Sequence, residues 1–446
     1  MVRLQVLIFV CLSMYLVAVV LPDAYIMMDA ASTLSFGFLV LAAYLFAELL
    51  ARMKLPRLTG YIAAGMLFGP SALGFLTPGV IGDLKLVDDL ALTFIAFAAG
   101  GELHLDMLRR RKRIISLTLI CQVVFVLIGV TAAMFLLRSL FPLTASMSMI
   151  QALGVAAICG AIAVARSPSS AIAIISETRA KGPFTEMILG VTVAADVLTI
   201  FLFAVVLSFS DLAISGQPVD FTFLLAMCGE VVISLAVGLL LGAGISLYLA
   251  KVGTELTIFI LGIAFLITQF SYGMTSVLHD TFAIDFHLKP MLICMTAGFY
   301  LRNFSRNGDE FIQIIDRSSL PIYTIFFAMS GAALKIEALQ DTWLWVLILV
   351  GMRTVFVYLG SLAGGKLGGD SRVLRRVSGL GFLTQAGVSL GLIKMVSDRF
   401  PGFGDELATL LVAAVAMNQI IGPVGLKYAL SRAGETRESR ACSPQA

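Results

Sequence analysis

Apolar runs follow one another along this chain to about residue 430, separated by short segments of charged residues, proline and glycine. A helix that crosses a bilayer needs roughly 20 mainly apolar residues. Runs of about this length are predicted near residues 4–21, 33–51, 58–76, 86–107, 114–138, 148–177, 186–209, 222–249, 254–277, 284–302, 318–336, 342–365, 377–397 and 405–428. The pattern therefore predicts an all-α integral membrane protein with about 13 to 14 transmembrane helices and no soluble domain between them.

Composition agrees with a chain that lies in the lipid bilayer. Of the 446 residues, 59% are hydrophobic and 13% are charged, whereas about 25% are charged in a typical soluble domain. The formal net charge of +3 is too small to suggest a nucleic-acid partner. Six cysteines without a Cys-x-x-Cys pair predict neither a disulfide framework nor a zinc site. The chain shows no cofactor motif and no set of nucleophile, base and orienting residue, which disfavours an enzyme.

The basic residues indicate how the chain is threaded. Most of the 31 Lys and Arg residues, including the cluster Arg109–Arg113, fall on alternate loops when fourteen spans are counted. Because cytoplasmic loops carry the excess of Lys and Arg, both termini are predicted in the cytoplasm of a bacterial inner membrane. Residues 1–32 would hold an N-terminal anchor helix or a secretory signal, and the length of the apolar run favours the anchor. Residues 431–446 would form a short cytoplasmic tail.

Two of the predicted spans are interrupted at matching places in the two halves of the chain. Proline removes a backbone donor from a helix, and polar groups then line the break. Such a pair of spans is typical of inverted repeats with two crossed, interrupted helices and a substrate site at the bilayer midplane. The residues at the breaks are Arg166, Ser167, Pro168, Ser169 and Ser170 in the first span and Thr384, Gln385, Ala386 and Gly387 in the second.

Three ionisable residues are predicted at the middle of spans, namely Arg166, Asp196 and Arg353. Charges at this depth are costly and are normally paired and functional, although a purely structural salt bridge is the alternative. Asp196 would face the first break if consecutive spans pack together. A carboxylate beside backbone carbonyls freed at a break can hold a monovalent cation or a proton in turn. Asp196 is therefore the predicted ion-binding residue, and Asn418 is a weaker candidate because mid-span amides usually join helices by hydrogen bonds.

Several strings of the sequence resemble the monovalent cation:proton antiporter superfamily, especially its bacterial sodium/proton branch. The strings are RLTGYIAAGMLFGPSALGFL, LTFIAFAAGGELHLDMLRRR, AVARSPSSAIAIISE, AADV, FFAMSGAALKIEAL and GMRTVFVYLGSLAGG, in family order between about residues 35 and 430. By this resemblance Asp196 matches the second, essential acid of the family, and Ala195 replaces the first. Arg353 matches the family's midmembrane basic residue. The chain departs from the pattern at Arg166, where relatives carry Thr, and at Thr384–Gly387, where they often carry Pro-Arg-Gly-Glu.

The resemblance implies a homodimer with a transmembrane domain over residues 33–430. Its dimerisation part would comprise residues 33–107 and 254–336, its mobile core residues 114–209 and 342–428, and a linker helix residues 222–249. The core would slide against the dimer scaffold in an elevator-like motion. The short tail leaves no room for the nucleotide-binding regulatory domain of potassium-efflux relatives.

The leading hypothesis is secondary active exchange of Na⁺ or K⁺ for H⁺ by alternating access. The resemblance also implies electroneutral exchange, because relatives with one acid at this position are typically electroneutral. The rival hypothesis is an anion or organic-solute carrier on the same scaffold, since two arginines face one carboxylate at the midplane. A channel or a membrane receptor would not require an acid facing an unwound helix.

Overall fold

The computed structural model describes residues 28–216, 221–251, 256–282, 288–306, 308–334, 338–386 and 388–442, together with Gln5 and Ile8. The predicted span 4–21 otherwise lies outside the described residues. Within the described ranges all regular structure is helical.

Each of the other thirteen predicted spans overlaps at least one described helix. The α-helices of the first half are α1 Met28–Arg52, α2 Arg57–Phe68, α3 Pro78–Asp83, α4 Lys85–Gly101, α5 Leu105–Leu136, α6 Pro142–Ala145, α7 Met149–Val164, α8 Pro168–Thr178 and α9 Pro183–Ser215. Those of the second half are α10 Phe221–Lys251, α11 Leu256–Phe282, α12 Pro290–Phe304, α13 Gly308–Ala332, α14 Ala338–Gly368, α15 Arg372–Ser378, α16 Val388–Arg399, α17 Gly404–Arg432 and α18 Arg437–Cys442, with a 3₁₀ helix at Gly379–Phe382.

Length and composition identify membrane-crossing segments among the described helices. Seven segments are long and apolar enough, namely Thr33–Arg52, Leu105–Leu136, Met149–Thr178, Pro183–Ile214, Leu225–Lys251, Thr342–Gly368 and Gly404–Arg440. The chain is therefore an all-α, multi-pass membrane protein. Several other predicted spans are shorter as helices. For example, α2 ends at Phe68 because Gly69 and Pro70 follow it.

The basic cluster Arg109–Arg113 does not form the predicted loop. It lies in the first turns of α5, which begins at Leu105. Arg and Lys are good helix formers, and their long side chains carry charge away from apolar surroundings. The cluster therefore extends α5 beyond the predicted span at the end predicted to be cytoplasmic.

The helices pack into two groups. The core group consists of α5, α7, α8, α9, α14, α15, the 3₁₀ helix, α16 and α17, and the scaffold group consists of α1, α2, α4, α10, α11, α12 and α13. Contacts between the groups are made mainly by α8 and α17 on α2, by α8 on α4 and by α9 on α10. The second half of the first interrupted span therefore faces the scaffold group.

Glycines bring helix backbones into direct contact inside each group. A Cβ atom on Gly100 of α4 would lie 1.8 Å from the carbonyl oxygen of Met295 on α12. In return, a Cβ on Gly298 of α12 would lie 2.3 Å from the carbonyl oxygen of Phe97. Every described glycine whose added Cβ would come within 3.0 Å of another atom meets an atom of its own group or of the segments joined to it. We call these close contacts at glycines the glycine seams. They lie within the groups and not between them.

Candidate ion-binding site

The two interrupted spans cross at their breaks. In the first span α7 ends at Val164 and α8 begins at Pro168, and in the second the 3₁₀ helix ends at Phe382 and α16 begins at Val388. The backbone N–H of Ser167 donates to the carbonyl of Thr384 at 3.2 Å, which joins the two breaks directly. The predicted pair of crossed, interrupted helices is confirmed.

Local sequence explains the first break. Ser167 is the N-cap of α8, and its Oγ accepts the backbone N–H of Ser170 at 3.1 Å. Pro168 occupies the first helical position, where its missing N–H is not needed. The hydroxyl of Ser169 lies 3.0 Å from that of Ser167. The chain therefore ends one helix and starts another here, and the break is not a proline kink.

Arg353 joins the ends of the two interrupted helices. Its side chain is 2% exposed and donates from Nε to the carbonyl of Ala163 at 2.9 Å. Its Nη1 donates to Leu383 at 2.8 Å, and its Nη2 donates to Ala165 at 3.1 Å. These carbonyls lie where α7 and the 3₁₀ helix end, and the last carbonyls of a helix carry partial negative charge. The guanidinium therefore satisfies both broken ends and offsets their dipoles.

Gln385 and Asn418 complete this arrangement. The Nε2 of Gln385 donates to the carbonyl of Ile162 at 2.8 Å, and its Oε1 accepts from the Nδ2 of Asn418 at 3.0 Å. Backbone carbonyls that the sequence predicted as cation ligands thus accept hydrogen bonds from side chains in this conformation. Asn418 was the weaker candidate in the sequence because mid-span amides are common. In the structure it contacts the break through its hydrogen bond to Gln385.

The last long helix approaches the second break through a glycine that the sequence analysis did not single out. A Cβ atom on Gly422 of α17 would lie 2.6 Å from the Cα of Thr384, which is a backbone atom. Thr384 itself is buried. Only glycine at position 422 therefore lets α17 lie directly on the break.

Asp196 lies in the middle of α9, and α9 packs on both α7 and α8. The Asp196 side chain is buried, and Arg166 is the charged group that interacts with it electrostatically. Among the described residues no hydrogen-bond partner contacts the Oδ1 atom of Asp196. The structure thus brings the predicted acid within electrostatic range of the first break.

Arg166 is fully buried but is not hydrogen-bonded to Asp196. Its Nε, Nη1 and Nη2 atoms find no hydrogen-bond partner in the described part of the chain. Its Cζ atom lies 5.3 Å from the centroid of the Phe382 ring, which is a cation–π geometry. Arg166 also interacts electrostatically with Arg353, so repulsion opposes the attraction of Asp196. This guanidinium is the least satisfied charge at the crossing.

Comparison with known proteins identifies the family. A family model described as "Sodium/hydrogen exchanger, transmembrane" matches residues 6–432. The chain belongs to this family. It is 32% identical over 108 residues to the Na(+)/H(+) antiporter NhaS4 of Synechocystis sp., a match that covers 22% of this chain and 26% of that relative. The matched segment thus spans about a quarter of the relative's length.

Solved structures show the same fold. Two structures of the sodium proton antiporter MjNhaP1 from Methanocaldococcus jannaschii are similar to this one, each at 16% sequence identity. The structure at pH 8 has a TM-score of 0.65 and covers 89% of this chain and 99% of its own. The electron-microscopy structure has a TM-score of 0.71 and covers 94% and 99%. The membrane fold is therefore that of a sodium/proton antiporter, in agreement with the family predicted from the sequence.

A cavity of about 1600 Å³ lies at the predicted cytoplasmic ends of the helices of this exchanger-family protein. Its walls include Tyr61 and Tyr323 from the scaffold group and Ala173 from α8 in the core group. His104, at its rim, accepts from the Nε of Arg302 at 2.8 Å. Burial and, secondly, the charge of Arg302 lower the pKa of His104. The cavity therefore opens between the two groups on the side where basic residues are concentrated.

One wall of the cavity holds a polar bridge between the groups, which we call the Glu177 bridge. The Glu177 carboxylate of α8 accepts the backbone N–H of Arg57 at 3.0 and 3.1 Å and lies 3.3 Å from the Nζ of Lys427. Lys427 also donates to the carbonyl of Leu55 at 3.2 Å, and Arg57 pairs with Glu48 at 2.6 Å. The bridge joins α8 and α17 of the core group to the segment between α1 and α2.

Proposed function

We propose that this protein exchanges a monovalent cation, Na⁺ or K⁺, for H⁺ across the inner membrane of a bacterium. Asp196 is the residue that takes the cation and the proton in turn. The observation that carries the proposal is a buried carboxylate on a helix packed against both halves of an interrupted span. Membership of the sodium/hydrogen exchanger family and the fold shared with a sodium proton antiporter support it.

The hydrogen bonds of Arg353 favour a supporting role for this residue. Three of its nitrogens are directed at carbonyls of the broken helices, so it holds the crossing together and does not neutralise Asp196 by a hydrogen bond. Thr384, Gln385, Ser167 and Ser169 support the same crossing through their hydrogen bonds. Their part in transport is to keep the break in place while Asp196 changes its occupant.

Arg166 acts as an internal competitor for the cation. A guanidinium about 4 Å from a bound cation costs roughly 4 kcal/mol at an effective dielectric of 20, which corresponds to a loss of about a thousandfold in affinity. Cation binding therefore requires the side chain to stay away from Asp196. Its contact with the Phe382 ring provides such a position, whereas in the unloaded site the guanidinium turns toward the carboxylate.

A single carboxylate predicts electroneutral exchange. Ala195, which is fully buried, precedes Asp196 and cannot carry a second charge. If Asp196 alternates between one proton and one monovalent cation, each cycle moves no net charge. Membrane voltage then does not drive the exchange.

The two helix groups suggest how access alternates. The core group, which carries Asp196, moves against the scaffold group, and the scaffold groups of two protomers form a homodimer. In the present conformation the cavity opens toward the cytoplasm but is not lined by Asp196, so access from this side requires it to deepen. Access from the other side requires the Glu177 bridge to open, because it joins the two groups.

Vesicles containing a pH-sensitive dye test the proposal. Na⁺, K⁺ or Li⁺ added to proteoliposomes should cause proton movement in the wild type, and Asp196→Asn should abolish it without loss of expression or dimerisation. Asp398→Asn makes the same chemical change at an exposed position of α16 and should retain the flux. Full cation-dependent flux in Asp196→Asn would refute the assignment of this site.

A specific observation keeps the anion or organic-solute carrier as the second candidate. The site contains two buried guanidinium groups and one buried carboxylate, so its buried charge is positive. The guanidinium of Arg166 has no hydrogen-bond partner among the described residues. A parallel series of chloride, bicarbonate and organic-anion salts decides between the two. Flux that follows the anion and ignores the cation would favour the carrier.

A further inference from the structure

The helix that carries Asp196 begins without a cap from its own sequence. Gly182 occupies the N-cap position and has no side chain to offer, and Pro183 follows at the first helical position. Pro183 has no N–H, so the backbone N–H groups of Phe184 and Thr185 are the donors that lack a partner within the helix. A buried helix start with two such donors requires an acceptor from elsewhere.

Glu435, about 250 residues further along the chain, supplies that acceptor. Its Oε1 accepts the N–H of Phe184 at 2.7 Å, and its Oε2 accepts the N–H of Thr185 at 2.7 Å. The same Oε2 accepts the hydroxyl of Thr185 at 2.7 Å. The carboxylate is buried and lies at the positive end of the α9 dipole. Both unpaired donors of the helix are therefore satisfied by one side chain from the tail.

The tail docks on the loop between α8 and α9 through several contacts. The carbonyl of Glu435 accepts the N–H of Lys181 at 3.0 Å, and Arg440 donates to the carbonyl of Arg179 at 2.6 Å. A Cβ atom on Gly182 would lie 2.4 Å from the Cδ of Glu435, so glycine is needed for this approach. The sequence predicted only a short cytoplasmic tail after residue 430, and in the structure Glu435 and Arg440 of this tail pack on the core group.

We infer that Glu435 is a positioning residue for the ion site. It follows α17 in the chain and caps the cytoplasmic end of α9, so it joins α17 to the helix that carries Asp196. The other end of α9 is held by the ion pair of Asp211 with Arg399 of α16, at 2.9 Å. α17 also carries Asn418, which contacts the crossing through Gln385. The Asp196 helix is thus fixed at one end to the segment that follows α17 and at the other end to α16, which begins at the second break. The inference rests on the proposed exchange at Asp196.

Glu435→Gln is the variant that tests the contact. The amide keeps the size of the side chain but removes the negative charge and directs an NH₂ group at one of the two N–H donors. Loss of a good cap raises the population of an opened first turn about tenfold. We expect the amides of Phe184 and Thr185 to exchange hydrogen for deuterium about tenfold faster. We also expect a rise in the apparent KM for the cation with a smaller change in maximal rate.

Glu438→Gln is the matched control, because it makes the same chemical change at an exposed position of the same tail. Both measurements should be unchanged in this variant. If Glu435→Gln exchanges deuterium and transports like the wild type, Glu435 does not position the helix. A fall in maximal rate at constant KM with normal amide protection would also overturn the inference.

The two measurements separate this inference from the proposed function. Deuterium exchange at the start of α9 does not depend on what the protein transports. A wild type without cation/proton exchange refutes the proposed function, and normal wild-type exchange with an unchanged Glu435→Gln refutes only the inference. If Glu435→Gln does not accumulate, Glu435→Asp keeps the charge, shortens the side chain by one carbon and should show the same changes at smaller size.

Discussion

The Nε of Arg353 donates to the carbonyl of Ala163 at 2.9 Å, at the end of α7. The sequence predicted that a charge at this depth is paired, and in this structure the partners of Arg353 are backbone carbonyls. A charged donor at a helix C-terminus is favoured by the helix dipole and by the unpaired carbonyls there. Arg353 therefore contributes to the geometry of the crossing more directly than to the charge of the ion site.

Replacement of Arg353 tests this role. Arg353→Lys keeps a positive charge and some of the hydrogen bonds, whereas Arg353→Ala leaves several buried carbonyls unsatisfied at about 1 to 3 kcal/mol each. We expect Arg353→Lys to retain more transport and a higher melting temperature than Arg353→Ala. Comparable, near-wild-type transport in both variants would show that the crossing does not depend on this residue.

Arg166→Thr tests the competition for Asp196. Removing the guanidinium should increase the apparent cation affinity, because the charge that repels the cation is gone. The voltage dependence should remain absent, since Asp196 is still the one carboxylate at the crossing among the described residues. Affinity is measured from the salt dependence of proton flux in proteoliposomes, with and without an imposed potential. Loss of flux together with a requirement for an anion would instead favour the carrier hypothesis.

Glu177→Gln should weaken the bridge between the two groups. The change removes the charge that holds Lys427 and weakens the hydrogen bonds to the start of α2. We expect spin labels at the exposed positions Met53 and Ser431 to show a broader distance distribution than in the wild type. Asp398→Asn breaks an exposed i,i+4 pair within α16 and serves as control. An unchanged distribution in Glu177→Gln would show that the bridge does not hold the groups together.

Gly422→Ala tests the contact of α17 with the second break. The new Cβ would lie 2.6 Å from the Cα of Thr384, so the helix must shift. We expect a lower melting temperature and reduced flux. Gly351→Ala is the matched control in α14, because a Cβ there has nothing within 4 Å. Alanine should raise helix stability at that position by up to about 1 kcal/mol. Equal behaviour of the two variants would argue against a close contact at position 422.

The His104 site predicts a pH dependence of stability. Its pKa in the folded protein lies below the ordinary value of 6.5, so the unfolded chain binds the proton more readily. The contribution of neutral His104 to the stability of the folded protein is therefore fully present above pH 6.5 and is lost as the pH falls below 6.5. We expect a modest fall in melting temperature on acidification and a smaller fall in His104→Gln. A wild type and variant with parallel pH profiles would contradict this.

The sequence predicted the spans and the two breaks because long apolar runs and an internal Arg-Ser-Pro-Ser string leave few other structures in a bilayer. It could not predict that Glu435 caps α9, because such a contact between distant residues has no local pattern. Glu177 and Lys427 escaped notice for a similar reason, since charges at helix ends are common. The position of the Arg166 side chain depends on the Phe382 ring, which only folding brings beside it.

The glycine seams have a consequence for which parts of the protein can move. At Gly100 and Gly298 the backbone of one helix lies directly on the backbone of the other. If one helix slid along the other, larger side chains would replace these glycines at the contact and would clash with the facing backbone, so such sliding is unfavourable. No described glycine brings a core-group backbone this close to a scaffold-group backbone, so the contact between the groups depends more on side chains, which can change rotamer as they pass. We expect translation to occur along this smoother surface, and a bulky side chain at either glycine to destabilise the scaffold without blocking the slide.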